Sequence, residues 1–457
     1  RDLKRYEDGM SRLLPVMEVK QMLGRAGRPR YDPIGEAWLA CKGGDPRQVA
    51  DEIADRYFHG PVEDITSKLA AEPAMRFHLL SSIANGGLQN REKIGSFFAS
   101  TYLGHSQTNS YLQDNIDSML RWLVKKRFIR RTTMGNLEDT WDDEKPSWVD
   151  VAQSAAGVSL SKSSEQVEAT FGFQRASRIN IPEVSSPDYE SLDNEYEATP
   201  MGERVAQLYI DPLSADIMLD GLRRAVRRLV RKSLPVTSFG LCHLISATPD
   251  FISLWPKSSE LDFGSKLRQK AALVEDELLI ESPIDERAMG MVKSAWCTEF
   301  WYNETDLRDI EKELAVTPGD VYSRTDLMSW LLLAAREVLL RDDIFADQHL
   351  SYVAELAGLL ELTRARVKSG CKEDLLSLVQ VQNVGRNRAR TLSEMGIRTP
   401  ADLLAMTSKD IDRLKSMRGW GPKLVDRILE SVRKISTDVI KKPKRTDDEP
   451  LPGERQD

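Results

Sequence analysis

The sequence predicts a mainly helical protein that is built from several domains. The chain has 457 residues, which suggests about three domains at roughly 150 residues each. Apolar residues recur at three- and four-residue spacing through most of the chain, as in helices that bury one face. One short run, 128–133 (FIRRTT), instead indicates a β-strand.

Composition excludes several protein classes. The chain is 41% hydrophobic and 30% charged, which suits a soluble intracellular protein with buried cores. No apolar run approaches the roughly 20 residues that cross a bilayer, so we expect no membrane partner and a cytoplasmic location. The four cysteines lie too far apart for a metal knuckle or a disulfide scaffold. The chain begins with Arg1 rather than Met, so we expect it to lack an N-terminal part.

The first 135 residues predict two segments. Residues 1–59 are loop-rich and end in an amphipathic helix over 48–58. In the second segment, 60–135, Asn90 is a candidate N-cap and the strand 128–133 comes last. Three helices followed by a strand is the order of a winged helix, a relative of the helix-turn-helix. The three helices are predicted over 74–86, 90–104 and 111–127.

Residues 136–197 differ from the rest in composition. They contain 14 acidic, 4 basic and 10 serine residues without sustained periodicity. Such a segment buries too little apolar surface to order itself, so we predict a flexible acidic insertion. The formal charge of the whole chain is −7. Because the insertion alone carries −10, the remaining chain is slightly basic, and the overall acidity does not argue against a nucleic-acid partner.

The C-terminal half predicts two helical domains and a tail. Residues 198–372 suit six or seven helices in one bundle, with breaks at prolines. Residues 373–436 suit a compact helical module with two glycine-centred turns, which we call the hairpin module. The tail, 437–457, is rich in charge and proline, and we expect it to be disordered.

Near the start of the chain, Gln21, Arg25 and Arg28 form the pattern QxxGRAGR. Two arginines three residues apart, with a glycine between them, suit a multiply charged anion, because the guanidinium group binds phosphate oxygens bidentately. In phosphoryl transfer such an arginine neutralises charge on the transferred group. A bare RxxR would indicate no more than a basic surface turn, whereas the full string is far more specific.

Four strings carry a family resemblance. Residues 21–32 (QMLGRAGRPRYD) resemble the last conserved motif of superfamily-2 helicases, at the end of their second RecA-like domain. Residues 198–215, 243–250 and 385–390 (GRNRAR) are similar to archaeal Holliday-junction-migration (Hjm-type) DNA helicases, which are relatives of the polymerase theta helicase. The resemblance covers the chain except for 136–197 and the tail.

The resemblance implies an ATP-driven 3′→5′ DNA-unwinding motor that works at stalled or branched replication forks. Residues 1–59 would then end a RecA-like α/β domain, and residues 198–372 would form a helical ratchet bundle. Gln21, Arg25 and Arg28 would be catalytic and face the ATP γ-phosphate. No GxxxxGK[ST] phosphate loop and no DExH box occurs in the 457 residues. We therefore expect ATP and Mg²⁺ in the intact enzyme, but neither nucleotide binding nor hydrolysis by this chain alone.

The hairpin module carries a second candidate site. Each of its glycine turns precedes a helix and a basic group, and exposed amides at a helix start attract phosphate. This arrangement resembles a helix-hairpin-helix pair, which grips the DNA backbone without reading sequence. A structural brace with solvated arginines is the alternative. The spacing of the three arginines puts them on different sides of the helix start, so not all are expected to reach DNA. The candidate residues are Gly385, Arg386, Arg388, Arg390, Gly419, Gly421 and Lys423.

A basic helix over 221–232 is a third candidate. Its arginines recur every four residues and form a positive stripe that includes Arg223 and Arg227. Like charges at this spacing repel and need compensation. DNA phosphate is one candidate partner, and the acidic insertion and neighbouring carboxylates are others. A solvated helix face without a functional partner is the alternative.

Trp330 is a fourth candidate, in a helix that is apolar nearly all round. A tryptophan in such a helix is usually part of the core. The resemblance, however, places a tryptophan and a preceding arginine on a bundle helix that stacks against successive bases as a ratchet. Trp330 matches that tryptophan by its context. Arg324 is the nearest arginine, but it lies six residues earlier, whereas the family spacing of seven falls on Ser323.

We therefore interpret the chain as the DNA-engaging C-terminal portion of such a helicase. Single-stranded and branched DNA are the expected partners, together with replication or repair proteins, and we expect a monomer. The hairpin module would act as a brake or guide for the emerging strand. An RNA helicase of the exosome-associated branch shares the first motif, but GRNRAR and LYIDPLSA (208–215) disfavour it. A non-catalytic scaffold that recruits a partner through its acidic insertion is the other alternative.

Overall fold

The computed structural model describes residues 4–7, 10–27, 34–39, 46–132, 194–280, 285–345 and 349–441. The first five residues of the predicted disordered tail, 437–457, instead end a helix that runs to Lys441, and the rest of the tail lies outside the described residues. Two units are distinguished by their internal contacts. The first contains the described residues of Arg1–Met75 and Lys93–Ile116, and the second contains those of Arg76–Glu92 and Asp117–Asp457.

The first unit begins with a short hairpin in which β1 (Lys4–Glu7) pairs antiparallel with β2 (Met10–Leu13). The helix α1 (Val16–Leu23) follows. The predicted helix over 48–58 is present as α2 (Pro46–Ala54), which continues into one π-helical turn, Asp55–His59. A small core lies behind these elements. Its buried members are Leu14, Val16, Val19 and Tyr57.

The three helices of the predicted winged helix appear as four. They are α3 (Glu72–Ala84), α4 (Arg91–Ala99), α5 (Tyr102–Ser106) and α6 (Asn109–Lys125). The prediction of one continuous helix over 90–104 was wrong. The hydroxyls of Ser100 and Thr101 donate to the carbonyls of Phe97 and Phe98, and these local bonds replace the helical ones at the break. The predicted N-cap is confirmed, since the Asn90 side chain accepts from the Glu92 amide at 2.9 Å.

In the second unit, the predicted strand has an antiparallel partner. β3 (Ile129–Arg131) pairs with β4 (Tyr196–Ala198), so that Ile129 lies opposite Ala198. Tyr196 is buried. The predicted insertion over 136–197 therefore ends too late by several residues, because its last residues form a strand. Residues 133–193 lie outside the described residues.

The described part of the bundle contains nine helices, more than the six or seven predicted, and several of them are short. Prolines at the first turns of α7, α8 and α14 mark helix starts, where their missing N–H costs nothing. The helices in the described part of the bundle are α7 (Pro200–Leu208), α8 (Pro212–Arg231), α9 (Ser238–Ser246), α10 (Ser258–Leu261), α11 (Lys266–Leu273), α12 (Glu286–Tyr302), α13 (Leu307–Leu314), α14 (Pro318–Leu339) and α15 (Leu350–Ser369).

The hairpin module follows directly and also belongs to the second unit. Its helices are α16 (Arg386–Glu394), α17 (Pro400–Leu404), α18 (Ser408–Ser416) and α19 (Pro422–Lys441). They share one apolar core, in which Trp420 is 3% exposed and Leu392 is fully buried. Gly419 has a φ of +87°, a conformation that side-chain-bearing residues rarely adopt. This glycine is therefore needed for the second turn.

Acidification is expected to destabilise the bundle through His243. Burial in α9 lowers the pKa of this imidazole from 6.5 to about 4. Below pH 6.5 the unfolded chain therefore protonates His243 while the folded chain still holds the neutral form. The contribution of His243 to the free energy of unfolding is full above pH 6.5 and is lost as the pH falls towards 4. Lowering the pH from 7.5 to 5.5 should cost about 1.3 kcal/mol through this group. Urea unfolding at both pH values measures the loss, and His243→Phe should remove it; an equal loss in both proteins would contradict the assignment.

Candidate nucleic-acid interface

The N-terminal candidate site rests on a capped helix. The Glu63 carboxylate accepts from the amides of Val16 and Met17, at 2.5 and 2.9 Å, at the first turn of α1. These amides lack partners within the helix, and a negative charge there is favourable. The bonds also lower the pKa of Glu63. The start of α1 is thereby fixed, and with it the direction in which the helix runs.

Arg25, one of the two candidate arginines, lies where α1 ends. Gly24 closes the helix, and the chain turns through Gly27, whose φ is +79°. Gln21, on the last turn of α1, and Arg25, in the turn itself, are both exposed. Arg28 lies outside the described residues. The exposed pair is separated by about one helical turn, which suits joint contact with one anion.

The two glycine turns of the hairpin module meet in one cavity. This open cavity, about 440 Å³ in volume, is called the hairpin cavity below. Its first turn places Gly385 before α16, so the unpaired amides at the start of that helix lie at the cavity. Buried Trp420 anchors the second turn. The lining residues are Gly385, Arg386, Asn387, Arg388, Thr391, Arg418, Gly419 and Trp420.

Four of the predicted DNA-binding residues line the hairpin cavity, together with three polar residues that were not predicted. Gly385, Arg386, Arg388 and Gly419 line it, whereas Gly421 and the exposed Lys423 do not. The polar residues that the sequence did not single out are Asn387, Thr391 and Arg418. Their positions beside the two glycine turns were the feature of the sequence that could have identified them as lining residues. Arg388, Arg418 and the helix start therefore give this cavity several groups that can bind an anion.

Arg390 faces carboxylates instead of the cavity. Its guanidinium donates to Glu304 at 2.6 and 2.8 Å and to Asp374 at 2.8 and 3.2 Å. The hydrogen bonds that Arg390 donates to Glu304, followed by those to Asp374, raise the pKa of Arg390. The prediction that Arg390 contacts DNA is therefore not supported by its surroundings. Since Glu304 belongs to the bundle, Arg390 instead fastens the hairpin module to it.

Arg386 makes a second connection between the module and the bundle. Its guanidinium lies 4.2 Å from the ring centre of Trp301, a favourable cation–π distance. The Trp301 indole N–H in turn donates to the Val367 carbonyl at 2.8 Å. One Arg386 nitrogen, Nη1, is buried and has no hydrogen-bond partner among the described residues. Arg386 thus lines the hairpin cavity while its guanidinium group packs against the indole ring of Trp301.

The basic helix is divided between structural and exposed arginines. Arg223 donates to both oxygens of Asp342, at 2.7 and 2.9 Å, so a neighbouring carboxylate compensates its charge. Arg228 donates to the carbonyls of Asp276 and Leu278. Arg227 is exposed. A neighbouring carboxylate, one of the partners expected from the sequence, thus compensates Arg223, and DNA binding by this stripe stays a prediction that Arg227 suits better.

Trp330 is not a core residue. Its neighbours Leu331 and Leu332 are fully buried, whereas the Trp330 side chain is 37% exposed. Arg324 lies elsewhere on α14, because six residues correspond to about 240° of rotation around a helix. It donates to Ser323 at 2.9 Å and lies 3.9 Å from Asp320. The structure therefore exposes the tryptophan and binds the arginine within its own helix.

Other kinds of site are absent from the described part of the chain. No group of His, Cys, Asp or Glu side chains there is arranged to hold a metal ion. Cys242, Cys297 and Cys371 are buried free thiols. Within the described residues, none of the helices has the length and apolar character that a membrane crossing requires.

Three stretches of the chain match known families. Residues 239–370, most of the bundle, match the family "Archaeal helicase, domain 4". Residues 35–130 match a "Helix-turn-helix domain", and residues 373–434 match a "SAM-like Helix-hairpin-helix tandem". The mainly helical, multidomain fold class is thereby confirmed.

Curated relatives match nearly the whole chain. The protein named "ATP-dependent DNA helicase Hel308" from Pyrococcus horikoshii is 28% identical over 97% of the chain. Proteins of the same name from Thermococcus kodakarensis and Methanocella arvoryzae are 29% and 28% identical over 94% and 98% of it. The chain spans 51%, 31% and 50% of these three relatives.

Proposed function

We propose that this chain, which is similar to the C-terminal region of Hel308-family archaeal DNA helicases, engages DNA for an ATP-dependent 3′→5′ helicase. The helicase would act on single-stranded and branched DNA at stalled or branched replication forks. The agreement of three successive family matches with the same protein class supports the proposal. So does the similarity to DNA helicases over almost the whole chain.

The hairpin cavity is the observation that carries this proposal. It brings the start of α16 together with Arg386, Arg388 and Arg418. Backbone amides at a helix start and arginine forks both bind phosphate oxygens, and neither reads the bases. A motor that moves along DNA of any sequence needs such contacts. The cavity is therefore assigned to the phosphate backbone of the strand.

In the intact enzyme, ATP and Mg²⁺ would bind in a cleft to which this chain contributes Gln21, Arg25 and Arg28. The exposed turn after α1 suits this role, because an arginine there is free of a protein core. The sequence contains neither a phosphate loop nor a DExH box, so the chain alone would not hydrolyse ATP. The enzyme would work as a cytoplasmic, nucleoid-associated monomer alongside replication or repair proteins.

Arg418→Ala tests the assignment of the hairpin cavity. Loss of one phosphate contact should weaken the binding of single-stranded DNA by about fivefold and reduce the slope of log K against log salt by about 1. Fluorescence anisotropy with a labelled oligonucleotide at several salt concentrations measures both effects. The matched control is Arg413→Ala, which removes an exposed arginine of α18 outside the cavity. Equal effects of the two changes would mean that only overall charge matters.

The same measurement separates the competing functions. An RNA strand of equal length should bind more weakly than DNA, and clear preference for RNA would favour an RNA helicase instead. A scaffold protein predicts no DNA-stimulated ATP hydrolysis when the chain is joined to its nucleotide-binding half. Absence of that activity, with the DNA affinity retained, would overturn the helicase proposal.

A further inference from the structure

One face of α14 is lined by exposed side chains at a regular spacing. Tyr322, Asp326 and Trp330 recur every four residues and are all exposed, and we call them the stacking face. Residues at this spacing follow one another along the same side of a helix. Tyr322 and Trp330 are eight residues apart, or about 12 Å along the axis. This distance corresponds to about three nucleotides of a stacked strand.

The Tyr322 ring is exposed but held in place. It is 48% exposed, while its ring centre lies 5.4 Å from that of Trp301 at an interplanar angle of 79°. This edge-to-face arrangement is favourable for aromatic pairs. Trp301 is only 8% exposed and is itself held by its bond to Val367. A side chain that is already oriented loses less entropy when a base stacks on it.

Trp301 connects the stacking face with the hairpin cavity. The indole ring contacts Tyr322 on α14 and the guanidinium of Arg386, which lines the cavity. Tyr322, Trp301 and Arg386 therefore form an unbroken series of contacts. All three belong to the second unit. A strand that leaves Trp330 towards the start of α14 would pass Tyr322 before it reaches the cavity.

The charges around the stacking face favour bases over phosphates as its ligands. Asp326 lies between the two rings, and its carboxylate repels a phosphate placed over the face. Arg324, the basic residue closest to the face in sequence, is engaged by Ser323 and Asp320 within its own helix. The backbone of a bound strand would therefore run beside the face, with its bases directed at the rings.

We infer that Tyr322 is a second base-stacking residue, which acts with Trp330 and directs the strand towards the hairpin cavity. The inference rests on the proposed function, because it requires single-stranded DNA on α14. The ligand is a base of any kind, since every base offers a face to an aromatic ring. Tyr322 thus occupies the role that the sequence had suggested for Arg324.

Tyr322→Leu and Tyr322→Phe test the inference in the 457-residue chain. With a labelled 20-nucleotide thymidine strand as the probe, loss of the ring should raise Kd by about fivefold, the lower end of the stacking range. Tyr322→Phe keeps the ring and should bind within twofold of the parent chain. The matched control is Phe263→Leu, which removes an aromatic ring that is 97% exposed and lies off α14. Equal affinities of the parent and Tyr322→Leu chains would overturn the inference.

Strands with a single abasic site separate stacking from an indirect structural effect. In the parent chain, two abasic positions about three nucleotides apart should weaken binding. Tyr322→Leu should abolish the penalty at one of them and leave the other, and Trp330→Leu should do the reverse. A uniform loss of affinity at all positions in Tyr322→Leu would indicate a displaced Trp301 and overturn the role of Tyr322.

The outcomes also distinguish this inference from the proposed function. If the parent chain does not bind the thymidine strand, or if Trp330→Leu leaves its affinity unchanged, DNA binding by α14 itself is refuted. If Trp330→Leu weakens binding and Tyr322→Leu does not, only the second stacking residue is refuted.

Discussion

Arg25→Ala is expected to reduce DNA-stimulated ATP hydrolysis by about 10³-fold in an enzyme that contains the nucleotide-binding half. An arginine that reaches the γ-phosphate neutralises charge developing in the transition state, and its loss typically costs 10³–10⁵ in kcat. Arg25 is exposed in the turn that ends α1. Since this turn belongs neither to α14 nor to the hairpin module, which carry the proposed DNA contacts, the affinity for single-stranded DNA should stay within twofold of the parent enzyme. Steady-state kinetics and anisotropy on the same preparation measure the two quantities.

Two further variants make this result specific. Arg25→Lys keeps the charge but lacks the planar fork, so it should restore only part of the activity. Arg56→Ala removes another exposed arginine of the first unit, next to Tyr57, and should leave turnover unchanged. Wild-type turnover in Arg25→Ala would refute a catalytic role. A parallel loss in Arg56→Ala would show that the whole segment had been destabilised.

The elements that the sequence predicted well depend on local rules. Gly419 could be placed at a turn for a local reason, because its φ of +87° is a conformation that glycine adopts without steric cost, whereas Gly385 has an extended φ of −85°. A local pattern also predicted α8, whose basic and apolar residues separate at helical spacing. Three helices were predicted in residues 72–125 and their order was right, but hydroxyl groups at Ser100 and Thr101 divide the second of them into two.

Ion-pair partners that lie far apart in sequence could not be predicted. Arg223 and its partner Asp342 are 119 residues apart, and Arg390 and Glu304 are 86 residues apart. An arginine on an exposed helical stripe has the same local pattern whether it binds phosphate or a distant carboxylate. Only the tertiary structure decides between the two. For the same reason the contact of Tyr322 with Trp301 could not be anticipated from spacing within α14.

Trp330 shows how a local pattern leaves two interpretations open. The helix is apolar nearly all round, and most of its residues are indeed buried. Yet the direction in which a single side chain points depends on which faces of α14 are covered by neighbouring helices. The structure leaves Trp330 partly exposed, on the same side as Tyr322. The stacking interpretation, which came from resemblance alone, thereby gains a physical basis.

Trp330→Ala is expected to lower DNA unwinding by about tenfold or more while ATP turnover falls by less than threefold. Stacking of a base on an aromatic ring contributes about 1–3 kcal/mol, and a strand that slips past α14 is not advanced by each cycle of hydrolysis. The residues proposed for the nucleotide site, Gln21 and Arg25, lie on other elements, so the chemical step should remain. Strand-displacement and ATPase assays on the same intact enzyme give the ratio of unwound base pairs to ATP consumed, which should fall.

A control substitution at another tryptophan and a variant that keeps an aromatic ring show whether the lower ratio of unwinding to ATP turnover reflects lost stacking. Trp255→Ala removes a ring that is 52% exposed and lies outside α14, so it should leave the ratio unchanged. Trp330→Phe should recover most of it, because phenylalanine can still stack. Equal losses of unwinding and turnover in Trp330→Ala would instead indicate a packing role. So would a drop of several kcal/mol in the free energy of unfolding, the usual cost of truncating a buried tryptophan. Because the side chain is only partly buried, a smaller destabilisation together with a lower ratio is the result that identifies a contact with the moving strand.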